Sequence, residues 1–324
     1  MKTIAVTIHE QGAPDVMSLG EVDVAEPRAG EVLIEQTAVG LNYMDIYQRS
    51  GHYPMKLPSG LGLEAAGRVV RVGTDVQNFA IGDRVVYGPV LGAYAKHRVV
   101  PAARLISIPD GVSDEVAAAV LMKGMTVEYL MCRAYPVKAG ENVLFYAASG
   151  GVGHLAGQWG QDIGARMIGV TSGEKNCAWA LEHGYAEVID RSKDDIAARA
   201  RELTGGKGVD VVFDSVGKAT FEASIDALAP RGYFMSFGAT TGEAPPVPPS
   251  LLQHKGSLYF CRPTLANYVD TREGLTLSAG RVFDQVLSGA IRVEIGQRAP
   301  LSDVAKVHGD LEAGKTTGAT VFTL

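Results

Sequence analysis

The sequence predicts an α/β protein: a doubly wound parallel sheet joined to a second, mainly β domain. Three observations point there. A glycine-rich turn lies between an apolar run and a segment of helical spacing; beyond Asn142, strand-like and helix-like pieces alternate; before Pro109, short strand-like pieces are punctuated by turn signals. A chain of 324 residues also exceeds the size at which a single core stops growing, so two domains are expected.

From Lys2 to about Pro109 the turns fall at Gly12-Ala13-Pro14 and Pro27-Arg28-Ala29-Gly30. The alternation Val32-Leu33-Ile34-Glu35-Gln36-Thr37 reads as a strand, as do Ala66 to Val72 and Arg84 to Tyr87. One short helix, Met44 to Gln48, follows Asn42 as a possible N-cap. Helical spacing resumes at Ser113 and continues to Tyr135. Strands are then predicted at Asn142 to Tyr146, Arg166 to Thr171, Glu187 to Ile189, Val209 to Asp214, Tyr233 to Phe237 and Leu258 to Phe260. Helices between them lie near Val152 to Ile163, Lys175 to Glu182, Ile196 to Thr204 and Phe221 to Ala227. The prolines Pro245, Pro246, Pro248 and Pro249 read as a turn, and in the tail only Ala279 to Ser288 reads as a helix. The expected domains are 1–123 with 266–324, and 124–265.

Composition narrows the function. The net charge of −6 argues against a dedicated nucleic-acid binder, which usually carries a basic face. Cys132, Cys177 and Cys261 are scattered, without a C-x-x-C pair, and read as reduced thiols of a cytoplasmic protein. The longest apolar runs, such as Val116 to Met122, fall short of a membrane span, and no targeting segment is apparent. A soluble protein is expected.

The turn Ala147-Ala148-Ser149-Gly150-Gly151-Val152-Gly153 matches the G-x-G-x-x-G spacing of a dinucleotide-binding unit, with Ala148 in the first place. Gly150 leaves bare backbone for a pyrophosphate and Gly153 lets the helix pack on its strand, while the N–H groups of Gly151 and Val152 lie where the helix dipole is positive. In NAD-binding units a carboxylate about twenty residues on holds the ribose. Here the second strand ends in Thr171-Ser172-Gly173, with Lys175 just beyond and Arg191 after the third strand. A hydroxyl and two cations suit a 2′-phosphate, which favours NADPH. Glu174 weakens that preference, and Lys175 and Arg191 also fit as solvated surface charges.

With Gly140-Glu141-Asn142-Val143-Leu144, this turn and Gln158, the chain resembles the zinc-free quinone oxidoreductase and zeta-crystallin group of the medium-chain dehydrogenase/reductases. The resemblance extends through Gly40-Leu41-Asn42-Tyr43-Met44-Asp45, Arg49-Ser50-Gly51-His52-Tyr53-Pro54, Gly82-Asp83-Arg84-Val85, Lys123-Gly124-Met125-Thr126, Asp214-Ser215-Val216-Gly217 and Lys255-Gly256-Ser257-Leu258. It implies a GroES-like catalytic domain, a Rossmann domain and NADPH in a cleft between them. Zinc-using relatives place Cys and His where Asn42 and Leu63 stand; neither replacement ligates zinc well, so no metal is expected. Without a Lewis acid the substrate should itself be electrophilic, a quinone or an activated enone.

By the same resemblance Asn42, Tyr47 and Tyr53 line the substrate side. Tyr43, Thr126, Ser215, Phe237 and Gly238 join the glycine turn, Ser172, Lys175 and Arg191 around the cofactor; Arg262, after the sixth strand, is read either as reaching a cofactor phosphate or as a salt-bridge partner. Lys315 is a weaker candidate. Asn42 is read either as an amide donor to a substrate oxygen or as the helix N-cap, two roles that compete for one side chain. His52, a lone loop histidine, is expected to face solvent and stays outside the site. A homodimer is implied, paired through the last Rossmann strand near Ser257 to Phe260. Alternatives are an NADPH-dependent enone or alkenal reductase, and an RNA-binding or structural crystallin-like protein.

Overall fold

The computed structural model describes residues 1–324. Its first stretch runs β1 (Lys2–Ile8), β2 (Ser18–Asp23), β3 (Glu31–Gly40), α1 (Tyr43–Ser50), β4 (Ser59–Gly60), β5 (Glu64–Val72), β6 (Arg84–Tyr87), β7 (His97–Pro101), β8 (Leu105–Ser107) and α2 (Asp114–Glu128). Alternation follows: β9 (Asn142–Tyr146), α3 (Gly153–Ile163), β10 (Arg166–Thr171), α4 (Glu174–Leu181), β11 (Glu187–Asp190), α5 (Ile196–Leu203), β12 (Val209–Asp214), α6 (Phe221–Ala227), β13 (Leu228–Ser236), α7 (Pro249–His254) and β14 (Tyr259–Cys261). The tail holds α8 (Arg272–Leu287), β15 (Ile295–Pro300), α9 (Val304–Glu312) and β16 (Ala319–Thr323).

Two units result. One comprises Met1–Met125, Val269–Leu287 and Val293–Leu324; the other comprises Thr126–Tyr268 and Ser288–Arg292. In the first, a sheet ordered β15-β16-β3-β5-β6-β8, with β7 also on β3, lies beside a three-stranded sheet β2-β1-β4. Alternate residues of its strands, Val32, Ile34, Val39, Val69, Val85, Tyr87 and Phe322, form the core, as period-two side-chain alternation requires. In the second unit six strands run parallel in the order β11-β10-β9-β12-β13-β14. This is the doubly wound α/β sheet, whose strand order reverses between β9 and β12. β9 is apolar almost throughout because parallel sheets are covered on both faces; Val143, Leu144, Phe145 and Tyr146 are all buried.

Three helices depart from the sequence reading. Pro249 begins α7 rather than ending a turn, because proline at the first helical position loses no hydrogen bond the helix needs. α8 starts at Arg272, seven residues before the expected Ala279; of its buried face Leu275, Ser278, Ala279, Val282 and Phe283, the added N-terminal part supplies a single large apolar residue, too little to mark a stripe. α9 was not expected, since its buried face is Val304, Val307 and His308, two apolar residues and a histidine. The last Rossmann strand lies one residue later than predicted, with Tyr259 opposite Tyr233.

Candidate active site

In the parallel-sheet unit the glycine turn sits at the C-terminal end of β9, beside the switch in strand order. Ala147 turns the chain with φ of +52°, the left-handed region that L-residues seldom occupy and that recurs at functional turns. Ala148 is fully buried and donates its N–H to the Val170 carbonyl at 3.1 Å. It fits in the first glycine place because Gly169 on β10 faces it: a Cβ there would come within 2.8 Å of the Ala148 Cβ. A Cβ on Gly153 would meet the Ala147 carbonyl oxygen at 2.2 Å and the Ala148 Cα at 2.7 Å, so α3 can start this close to its strand only with glycine. The hydroxyls of Ser149 and Thr171 pair at 2.8 Å, and Tyr185 donates to the Gly153 carbonyl at 2.7 Å. Val152, the N-cap of α3, supplies no side-chain cap. The helix start after Gly150-Gly151-Val152 therefore offers backbone donors to an anion.

At the end of β10, Arg191 donates from Nε to the Ser172 hydroxyl at 2.6 Å, and its own N–H bonds the Thr171 carbonyl. The hydroxyl and guanidinium thus stand together, 19 residues apart in sequence. Lys175 and Glu174 are exposed in the first turn of α4. Asp190, at the end of β11, is spent on the local turn: it accepts from Ser192 N–H and Oγ and from Gly173 N–H. Those bonds, the Ser192 hydroxyl first, hold its carboxyl below the usual range.

Ser215, Phe237 and Gly238 gather at the ends of β12 and β13. Phe237 donates its N–H to the Asp214 carbonyl at 2.8 Å, and a Cβ on Gly238 would lie 2.5 Å from the Ser215 carbonyl oxygen. The fully buried Asp214 carboxylate fixes this corner, accepting from the N–H groups of Val216 and Gly217 and the hydroxyls of Thr220 and Ser224. Thr126 is half-buried in α2. Arg262 follows β14, at the sheet edge opposite β11 and Arg191, and donates to the Pro263 carbonyl at 3.2 Å. It is therefore not part of the Ser172–Arg191 corner. Lys315 is exposed and 3.8 Å from Asp310.

In the mainly β unit the remaining candidates cluster on α1 and the loop after it. Asn42 is the N-cap, and its backbone N–H donates to Asp45 Oδ2 at 2.9 Å. Its amide nitrogen points inward, 2.8 Å from Glu64 Oε2, 3.5 Å from the Gly40 carbonyl and 3.7 Å from Met122 Sδ. The amide donor expected to meet a substrate oxygen is thus directed at Glu64, whose carboxylate can only accept. Glu64 also takes the Met122 N–H at 2.6 Å and the Lys123 ammonium at 3.3 Å, a buried pair that sequence spacing gave no means to detect. Leu63 is buried and apolar.

Behind α1, Tyr94 donates to Asp45 Oδ2 and bonds His308 Nε2, both at 2.9 Å. Burial pushes the Asp45 carboxyl up to about 7 and the His308 imidazole down to about 3. Arg49 is buried and forks onto Glu312 at 2.6 and 3.0 Å, tying α1 to α9.

The exposed side of α1 is aromatic. Tyr43 and Tyr47 meet edge to face at 5.0 Å between ring centroids, and Tyr47 meets Tyr53 the same way at 5.6 Å. Burial raises the Tyr43 pKa. His52 corrects the sequence reading: it is only half-exposed, its ring lies 4.7 Å from Tyr47 and 4.9 Å from Tyr53, and its Nε2 is enclosed. The signal was Gly51, which ends α1 with φ of +91° and folds the next residues back onto the helix.

Family models for an alcohol dehydrogenase GroES-like domain and a zinc-binding dehydrogenase match residues 28–110 and 151–268. The chain is 46% identical over 314 residues to a quinone oxidoreductase of Pseudomonas aeruginosa, covering 96% of each. It is 38% identical to a 2-haloacrylate reductase of a Burkholderia species, covering 98% of each. Its fold superposes on the crystal structure of Escherichia coli quinone oxidoreductase complexed with NADPH with a TM-score of 0.97, at 41% identity, covering 99% of this chain and 100% of that one. Near-complete coverage on both sides, together with the doubly wound sheet and the glycine turn, settles the family: the chain belongs to the quinone oxidoreductases of the medium-chain dehydrogenase/reductase superfamily.

Proposed function

We propose that this protein is an NADPH-dependent quinone reductase that works without a metal. The likeness to quinone oxidoreductases along nearly the whole chain carries the reaction, and the site chemistry supports it residue by residue. The start of α3 and the bare backbone of Gly150, Gly151 and Gly153 suit the pyrophosphate. The Ser172 hydroxyl and Arg191 guanidinium, with Lys175 beside them, suit a 2′-phosphate that a carboxylate would repel. Ser215, Phe237, Gly238 and Thr126 are assigned to the nicotinamide side, with Tyr43. Bound there, NADPH supplies a hydride. Asn42 and Leu63 stand where zinc relatives carry ligands, and an amide and an aliphatic side chain do not make a zinc site. Substrate handling then falls to Tyr47 and Tyr53, whose hydroxyls can donate to a quinone oxygen as it gains charge, while Asn42 fixes the start of α1. Arg262, after β14, is assigned to a cofactor phosphate other than the 2′-phosphate.

Steady-state oxidation of NADPH with 1,4-benzoquinone tests this reading, and failure with every quinone tried overturns it. The 2-haloacrylate reductase among the relatives favours one second reading, reduction of an activated carbon–carbon double bond; faster turnover with 2-chloroacrylate or an alkyl vinyl ketone than with any quinone would establish it. A cytoplasmic homodimer is part of the proposal. The edge strand β14 exposes Tyr259, and an unpaired edge can pair with its copy. Sedimentation as a monomer at micromolar concentration would remove that part.

A further inference from the structure

A quinone that accepts a hydride becomes a hydroquinone monoanion, and one proton must still reach its oxyanion. We propose that His52 delivers that proton, at the face of the aromatic cluster formed with Tyr47 and Tyr53. The inference rests on the quinone-reductase reading above.

Three observations carry it. The loop that holds His52 is pinned rather than loose: Tyr53 donates its N–H to the Tyr47 carbonyl at 3.1 Å, and the Gln11 amide donates to the Gln48 and Tyr53 carbonyls at 2.6 and 2.8 Å. The imidazole is in ring contact with both tyrosines assigned to the substrate. Its Nε2 is enclosed without a hydrogen-bond partner, although buried polar atoms are ordinarily paired. A ligand oxygen among the rings would supply that partner.

The groups facing His52 leave it the proton source of the cluster. Tyr47 and Tyr53 are phenols that face the imidazole, and burial makes Tyr43, behind Tyr47, hold its proton more tightly. Arg49, farther along α1, and Glu312 of α9 neutralise each other. Imidazole is the side chain that gains and loses a proton near neutral pH. In the step itself the quinone has gained two electrons and one hydrogen from NADPH. The Nε2–H bond of the imidazolium breaks, an O–H bond forms on the monoanion, and the neutral imidazole regains a proton from water.

The test uses the full-length protein with NADPH and two quinones. Tetrachloro-1,4-benzoquinone gives a weakly basic monoanion that needs little help; tetramethyl-1,4-benzoquinone gives a strongly basic one. His52→Phe keeps ring packing and His52→Gln keeps polarity. The expected result is a fall in kcat of about 100-fold with the tetramethyl quinone, the lower end of general acid catalysis, and little change with the tetrachloro quinone. A second readout needs no turnover: wild type should take up a proton on binding 4-nitrophenolate, and His52→Phe should not. Equal losses with both quinones would assign His52 to packing and overturn the inference, as would no loss with either or no proton uptake by wild type. If wild type reduces neither quinone, the reaction reading fails first and the inference with it; the inference alone fails when wild type is active and the variants match it.

Discussion

The glycine turn of the parallel-sheet unit and the aromatic edge of α1 in the mainly β unit are built in opposite ways. At the turn, function is assigned to backbone: Gly153 is there because nothing larger fits against Ala147 and Ala148, and the donors at the start of α3 need no particular side chain. At the aromatic edge, function is assigned to the side chains of Tyr47 and Tyr53, and α1 is itself held by remote partners: Asn42 by Glu64, Asp45 by Tyr94, Arg49 by Glu312. A site made of backbone is written in consecutive residues. A site made of side chains is written across the whole unit.

The largest effect should come from breaking the backbone side. Gly153→Val places atoms against the Ala147 carbonyl and Ala148 Cα, neither of which can swing away, so urea unfolding should report a loss above about 3 kcal/mol, the upper end of overpacking costs, together with lost NADPH affinity.

Next is a charge on the side-chain side. The folded pKa of Asp45 is raised to about 7 by burial, so the folded state holds a proton that the unfolded chain releases near pH 4. Its contribution to stability is complete below the unfolded pKa and is lost as pH rises to about 7. His308 runs the other way: its folded pKa of about 3 contributes stability above the unfolded value that is lost as pH falls. Asp45→Asn removes the first effect and keeps an oxygen for Tyr94 and Asn42. The variant should therefore gain on wild type by about 1.4 kcal/mol per pH unit between pH 4 and 7 and hold level above that. A difference that stays constant with pH, measured by denaturant unfolding, would show Asp45 ionised throughout.

A smaller change tests whether the cofactor corner is as local as it looks. Ser172→Asp combined with Arg191→Ala should raise the NADPH dissociation constant relative to that of NADH by about tenfold or more, the worth of one charge-assisted hydrogen bond; an unchanged ratio refutes the assignment. The smallest effect is expected from Tyr53→Phe, which keeps the ring contacts with Tyr47 and His52. A few-fold loss of kcat/KM with quinones, corresponding to one neutral hydrogen bond of about 1 kcal/mol, is the expected outcome, with NADPH affinity unchanged.

What could be read in advance follows the same division. Strands such as Asn142–Tyr146, Arg166–Thr171 and Val209–Asp214 were legible to the residue, because a buried parallel strand is a continuous apolar run between turns. Ser172 and Arg191 were proposed together because both follow strand ends of one alternating pattern. His52 lies against Tyr47 and Tyr53 rather than in solvent: Gly51 signals that the chain turns back after α1, but which rings the next residue then meets is set by the packing of the loop, not by the glycine. Asn42 was recognised as a cap, but the direction of its amide depends on Glu64, 22 residues away. The start of α8 is hard to read because its first seven residues bury only Leu275 and Ser278, and α9 because its buried face includes a histidine.

By itself the sequence determined the doubly wound sheet, the glycine turn, the absence of zinc-type ligands at positions 42 and 63 and the likeness to a family, because periodicity, glycine spacing and residue chemistry are local. Only the tertiary structure decided which donors stay available, where His52 lies and which ionisable groups are buried. Hydrogen bonding and desolvation depend on neighbours that chain folding, not chain order, supplies.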